Sequence, residues 1–355
     1  MLINILLYKN LEIVLTVKEI EMKFGFPLFT KDKNTVYLGN HKKLIISDIW
    51  SFWDYVIKKH NKNCDFLSAL LEQSKHFYLT AENSPVKSKP LLYYYSFLNL
   101  SKIIVAIENG YDSTKTYMHG VSENHNGKFT QSTIKVKQKH PNNSINVAIE
   151  LTEILDVNVP TTPVTLNVKE LLCHCVGVHR AYSEIYKKRE VFFRIYNEKL
   201  YKNGREMIFK AQVQCEKTDL NELRNRGYVI NEVDGGFVYE HTITTNSSNK
   251  VRADYFRMSQ EIRAQGLWYF IGSNGYTLYL SNDATYRFSP EVIIYDVMFY
   301  LGSITRYHPY MFDKIFSDNE QWLMSEFLTT QPKQYLYLAT SKLLGQHVMK
   351  AYASF

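Results

Sequence analysis

The stretch Leu267-Trp268-Tyr269-Phe270-Ile271-Gly272-Ser273-Asn274-Gly275-Tyr276-Thr277-Leu278-Tyr279-Leu280 decides the fold class of this chain. Its two halves, Trp268–Ile271 and Tyr276–Leu280, are rich in aromatic and β-branched side chains, which suit a pleated, half-buried surface. Between them Gly272-Ser273-Asn274-Gly275 tolerates a tight reversal, so the pattern predicts a β-hairpin. A hairpin is antiparallel and needs further strands to be stable. Val191–Tyr196, Met207–Gln214 and Gly236–Thr245 share its composition and supply them. Arg252–Arg263 lacks that composition and reads as a short helix or loop carrying Arg252, Arg257 and Arg263.

On either side the periodicity becomes helical. Asp65 can cap a helix in which Leu67, Leu70, Leu71, Phe77 and Tyr78 recur at helical spacing. Ala81–Lys89, with Ser84-Pro85, breaks it. Pro90 then suits the first turn of a second helix, Leu91–Glu108, closed by Asn109-Gly110. That helix is apolar on several sides, which predicts a central position. Tyr111–Asn143 is polar: a loop begins at His119-Gly120, Ser132–Gln138 alternates like a strand, and Pro141-Asn142-Asn143 makes a turn. Val157–Val168, with Pro160 and Pro163, reads as an extended connection, and Leu166–Tyr186 as a helix.

Near the carboxy terminus Ser289-Pro290-Glu291 supplies an N-cap, a first-turn proline and an acid at the positive end of a helix. That helix runs to about Tyr307 and is stopped by Pro309. Ser317-Asp318-Asn319-Glu320 reads as a capping box, Gln331-Pro332 as the end of the helix it starts, and Gln334–Tyr352 as a final helix. The expected fold is therefore α+β, with mainly helical amino- and carboxy-terminal parts around a smaller antiparallel β region. Its parts are a mainly helical region (1–125), a mixed region with antiparallel hairpins (126–285) and a carboxy-terminal helical bundle (286–355), together one compact unit.

A chain of 355 residues can bury a large core, and 45% hydrophobic with 22% charged residues is an ordinary globular composition. The 27 tyrosines and 20 phenylalanines are many, and core packing accounts for most such rings. A net charge of +7 permits an anionic partner without requiring one. Every arginine lies at or after Arg180, so bidentate anion recognition falls to the second half. Four scattered cysteines argue against a disulfide framework and for a reducing, cytoplasmic setting. Cys173-His174-Cys175 invites a metal reading, but ligands two apart on a helix face apart and no second pair has zinc spacing, so no metal or cofactor is expected. The opening Met1–Leu7 run is too short to span a membrane and lacks signal-peptide features, so no membrane partner is expected. Phosphate-loop, nucleophile-elbow, HExxH and EF-hand patterns are absent from the sequence.

Three islands carry a resemblance: Pro90-Leu-Leu-Tyr-Tyr-Tyr-Ser-Phe-Leu-Asn-Leu-Ser-Lys102, His119-Gly-Val121, and the block from Tyr300 through Arg306-Tyr-His-Pro309 to Gln346. Together they resemble the YaaC-like family, from about Ile49 to the end. The resemblance brings no reaction with it. It implies a cytoplasmic interaction or effector component, with antiphage defence as a setting and a protein partner or homo-oligomer. The tyrosine-rich first island is also similar to an element of HEPN-type helical RNases. Those enzymes set a histidine further beyond an arginine than Arg306 and His308, which are two apart and about 200° around a continuous helix.

Arg306 and His308 are accordingly the candidates for a metal-independent RNA-cleaving site, Arg306 as clamp and His308 as acid or base. A helix terminus by itself also accounts for both: Arg306 facing the negative helix end and His308 bonding a free carbonyl. Arg252, Arg257, Arg263 and Tyr307 are the candidates for anion or nucleic-acid binding, with Tyr255, Phe256 and Trp268 as stacking rings. The plainer account of that group is a solvated helix face paired to Asp254 and Glu261. Glu326, Gln331 and Gln346 read as caps or members of a buried polar network.

Overall fold

The computed structural model describes residues 20–21 and 43–351, apart from 61–63, 137–143, 156–158, 160, 234, 246–250, 273–274, 284 and 286–287. Two short strands, β1 (Ile20–Glu21) and β2 (Lys43–Ile46), precede three helices: α1 (Ile49–His60), α2 (Cys64–Asn83) and α3 (Lys89–Asn109). Next come β3 (Thr116–Met118), β4 (Val121–Asn124), β5 (Thr133–Val136), β6 (Ser144–Asn146) and α4 (Val147–Leu155). β7 (Val164–Asn167) runs into α5 (Val168–Cys173), which is followed by α6 (His179–Tyr186). The long strands β8 (Phe192–Asn203) and β9 (Glu206–Gln214) are separated by α7 (Leu220–Asn225) from β10 (Val229–Val233) and β11 (Gly236–Thr244). α8 (Val251–Gln265) leads into the hairpin β12 (Leu267–Gly272) and β13 (Gly275–Ser281). The chain closes with α9 (Pro290–Tyr307), α10 (Pro309–Ile315), α11 (Gln321–Leu344) and β14 (His347–Lys350).

The fold is α+β. The hairpin pairs from Leu267↔Leu280 to Gly272↔Gly275 and joins an antiparallel sheet in the order β10-β11-β9-β8-β13-β12, with β1 added on β8. Its inner face, with Phe209, Tyr239, Leu278 and Leu280, packs on Met258 and Ile262 of α8 in one hydrophobic cluster. The other and larger cluster is mainly helical, with strand residues such as Ile134, Leu166 and Trp268 packed into it. α3 runs through it and buries Tyr93, Tyr94, Phe97, Leu98, Leu100, Ile103 and Ile104, which point all round the helix, so it must be covered on every side. Val86–Asn109 is long and apolar enough to cross a bilayer, but its surface is mostly covered by protein. Pro90 stands at its start and Gly110 ends it with φ +83°, as the sequence predicts. Phe97 stacks on Tyr335 of α11 with ring centroids 4.0 Å apart, and Ser101 Oγ lies 2.7 Å from the Tyr335 hydroxyl.

Four expectations fail. Leu166–Tyr186 is not one helix: β7 and α5 are separated from α6 by a turn through Gly177 at φ +102°. A Cβ there would lie 2.9 Å from the Phe270 ring, so the backbone must come close and the helix cannot continue. Pro332 does not end a helix; α11 continues through it. The missing N–H and ring clash cost about 3 kcal/mol, yet Leu328, Tyr335, Leu336, Leu338 and Ala339 on both sides of the proline are buried, which outweighs that cost. Ser317 does not cap α11; its hydroxyl donates back to the Asp313 carbonyl at 2.9 Å and closes α10. The helix expected over Gln334–Tyr352 is the second half of α11 and stops at Leu344, because Gly345 at φ +61° turns the chain into β14, which pairs in parallel with β2. Ser289 takes the N-cap position of α9, but through its backbone carbonyl, which accepts from Val292 and Ile293 N–H at 3.1 Å. The turn expected at 141–143, the hairpin tip 273–274 and the run 1–7 lie outside the described residues.

The helical and sheet parts are joined by specific polar contacts. β12 is an edge strand, and an exposed edge invites pairing with other chains. Gln334 of α11 covers it: its amide donates to the Ile271 carbonyl at 2.6 Å and accepts from Ile271 N–H at 2.7 Å. The Tyr269 hydroxyl donates to the buried Glu291 carboxylate at 3.1 Å, in the first turn of α9 where the helix dipole favours an acid.

Candidate functional site

The three sequence islands meet at the carboxy-terminal end of α9. α9 crosses α3 where Gly302 faces Tyr94; a Cβ at Gly302 would lie 2.9 Å from Tyr94 Cβ and 3.4 Å from the Pro90 carbonyl. The Tyr94 hydroxyl is bonded to His119 Nδ1, and the two rings stack at 5.7 Å. Arg306 Nη1 donates to the Tyr95 hydroxyl at 2.9 Å. Residues from all three islands are thus locked together around one helix end.

His308 is the hinge of that end. Its φ of −135° and ψ of 55° leave the helical region, so it is at once the C-cap of α9 and the N-cap of α10. Its N–H donates to the Ile304 carbonyl at 2.8 Å, and its own carbonyl accepts from Met311 and Phe312. The helix does break before Pro309, and the break turns Arg306 and His308 toward different neighbours. The Arg306 guanidinium lies 4.9 Å from the centroid of the Tyr307 ring. The His308 ring stacks on His125 at 5.2 Å and 24°.

His125, a candidate that the sequence pattern does not single out, lies beneath the turn. It lies just after β4, where nothing in the local pattern separates it from other loop histidines. Tyr300 Oη at 3.2 Å and Ser132 Oγ at 3.1 Å both lie within hydrogen-bond distance of its Nδ1. Its Nε2 is buried, with no hydrogen-bond partner among the described residues. Burial first, and then the neighbouring His308, push the His125 pKa down, so the ring is neutral at physiological pH. Burial pushes the Tyr300 phenol up to about 12, so Tyr300 keeps its proton.

Beyond this supported layer the chain is bare. Arg306, Tyr307, His308, Pro309 and Tyr310 are five consecutive exposed residues, and the Tyr307 and Tyr310 rings are 60% and 80% exposed. A cleft of about 240 Å³ lies beside them, between Gly127–Thr130 and Met311, Lys314 and Ile315. The surrounding charge is mixed. Lys128 and Lys314 share the cleft rim with Asp318 and Glu320, and Lys87 pairs with Asp313 at 2.6 Å.

The arginines of α8 are placed differently. Arg263 donates to the Leu155 carbonyl at 2.9 Å, and Arg257 to the Thr244 carbonyl and to Asp254. Glu261 pairs with His241 instead of an arginine. Tyr255 and Trp268 are buried, so they offer no stacking face. Arg252 lies in α8, but its side chain is outside the described residues. Gln331 joins the interior as expected, donating to the Val176 carbonyl at 2.9 Å, while Glu326 accepts from the Trp322 indole. A larger cleft of about 860 Å³ on the sheet is lined by Arg180, Arg189 and Arg194. Much of its charge is internally spent: Arg180 pairs with Glu190, and Arg189 with Asp219 and Glu222.

The fold and this helix end define an α+β protein that presents a supported, aromatic and cationic turn. The sequence matches the family described as YaaC-like Protein over residues 36–343, and the chain belongs to that family. Neither the curated proteins nor the solved structures compared with it give a match.

Proposed function

We propose that this YaaC-like chain is a cytoplasmic interaction component whose partner-binding surface is the turn Arg306–Tyr310, and that the partner is a protein. The observation that carries this reading is the exposure of Tyr307 and Tyr310 beside Arg306 on a turn held from beneath by Tyr300, His125, Ser132 and Tyr95. Tyrosine and arginine are the side chains that most often dominate protein interfaces, and pre-organised ones lose little entropy on binding. The mixed charges around the turn favour a protein over a polyanion, which would call for a uniformly basic surface. Helical amino- and carboxy-terminal parts around the sheet would serve as the frame, and antiphage defence is the setting we attach to this proposal.

The test compares tagged wild type with Tyr307→Ser/Tyr310→Ser, a pair whose exposure spares the fold. We expect a partner retained by wild type and lost by the variant. The same proteins retained by both would overturn the assignment of the surface.

A second reading rests on the His125–His308 stack. A neutral histidine beside a second one, with Arg306 two residues before His308 in the chain, is a set that could cleave RNA by acid–base chemistry without a metal. Incubation of the purified chain with total RNA in chelator, alongside Arg306→Ala, His308→Ala and His125→Ala, decides it. RNA left intact by wild type ends that reading.

A further inference from the structure

We infer that Cys173, His174 and Asp283 form a binding site for a divalent, borderline-soft cation, with zinc the best match. Sequence spacing points away from this, because it pairs Cys173 with Cys175 and finds no second pair. The fold supplies the missing ligand from elsewhere. α5 ends at Cys173, His174 is its C-cap at φ −90° and ψ −1°, and Asp283 follows β13. The Cys173 sulfur, a His174 ring nitrogen and an Asp283 carboxylate oxygen all lie within 4.8 Å of one another. Around zinc, with bonds of about 2.0–2.3 Å, tetrahedral ligand atoms stand roughly 3.3–3.7 Å apart, so a small contraction completes the site.

The surroundings suit such an ion. His174 is fully buried, stacked on the Trp268 ring at 5.5 Å and edge-on to Phe192 at 6.4 Å, so its orientation is fixed. One thiolate and one carboxylate balance a divalent charge to zero, which suits a site whose cysteine and histidine are buried and whose carboxylate is half-buried. The ligand set of one sulfur, one nitrogen and one oxygen matches zinc better than magnesium or calcium, which take oxygen ligands. Three protein ligands leave a fourth position for water or a substrate atom.

Binding forms the metal–sulfur bond, breaks the S–H bond and releases one proton to the buffer. Cys175 is not a ligand in this assignment; its thiol faces the Leu171 carbonyl at 3.7 Å. Arg226 also acts electrostatically on both His174 and Asp283 and opposes the cation, so its removal should tighten binding.

The experiment uses the full, untagged chain, stripped with chelator, kept reduced and titrated with Co²⁺ and then Zn²⁺. We expect one equivalent of Co²⁺ to give tetrahedral d–d bands and a single-thiolate charge-transfer band, which Zn²⁺ bleaches. Cys173→Ser should abolish the charge-transfer band. Asp283→Asn, a loop substitution that spares the core, should weaken binding at least about tenfold. Cys175→Ser and Cys215→Ser should leave both unchanged. No thiolate band in wild type would make the three residues a packed polar cluster only. A band surviving Cys173→Ser, or unchanged affinity in Asp283→Asn, would also overturn the assignment.

Discussion

Replacing Gly302 by alanine pits two effects of known size against each other. Gly302 lies inside α9, before its last turn, where alanine is favoured over glycine by about 1 kcal/mol through helix propensity alone. In an exposed helix the substitution would therefore stabilise. Here the new methyl would stand 2.9 Å from Tyr94 Cβ and 3.2 Å from Tyr94 Cγ. A Cβ atom is fixed to the backbone and cannot rotate away, so α3 and α9 must separate. Overpacking of this kind costs roughly 1–3 kcal/mol, and the immobile partner places it in the upper part of that range. The expected net loss is about 1–2 kcal/mol, with disturbance of the Tyr94–His119 bond that the same crossing holds. Urea unfolding followed by tryptophan fluorescence measures the first, and the His119 imidazole resonances report the second. A Gly302→Ala chain more stable than wild type would refute the tight crossing and the clustering of the three islands built on it.

Other outcomes follow from the same contacts. Gln334→Leu removes two bonds to the Ile271 backbone and should cost about 2 kcal/mol in urea unfolding; unchanged stability would mean that water replaces the side chain there. Arg263→Ala should lose about 1–2 kcal/mol, because a charged donor leaves the Leu155 carbonyl, whereas a merely solvated arginine would cost nothing. His125 has a depressed pKa in the fold and an ordinary one near 6.5 in the unfolded chain, so the unfolded chain takes up more protons in between. Its contribution to stability is then complete above about pH 6.5 and is lost as pH falls through the folded value. Wild type should lose more stability than His125→Gln between about pH 7.5 and about pH 5, and parallel losses would remove His125 from the account.

The sequence pattern shows what local chemistry controls. The hairpin, α3 between Pro90 and Gly110, and α9 ending before Pro309 are all legible because turn and cap residues mark their limits. The passage of α11 through Pro332 was not legible, since burial on both sides decides it and periodicity cannot register that burial. The break at Gly177 likewise depends on Phe270, a residue distant in the chain. Arg306 and His308 could be picked out from their segment, but their partners Tyr95 and His125 could not, because only the packing of α9 on α3 and β4 brings them near. Asp283 stayed hidden for the same reason: its place beside Cys173 and His174 is a property of the fold.

The central claim is that the turn after α9 is where this protein meets a partner. Tyr310, 80% exposed, can be replaced by a photoreactive benzoyl-phenylalanine, with Tyr196, exposed on the sheet, as the control position. The account predicts a discrete crosslinked product from position 310 in cells and none from position 196. No product at 310, or the same products from both positions, would contradict it.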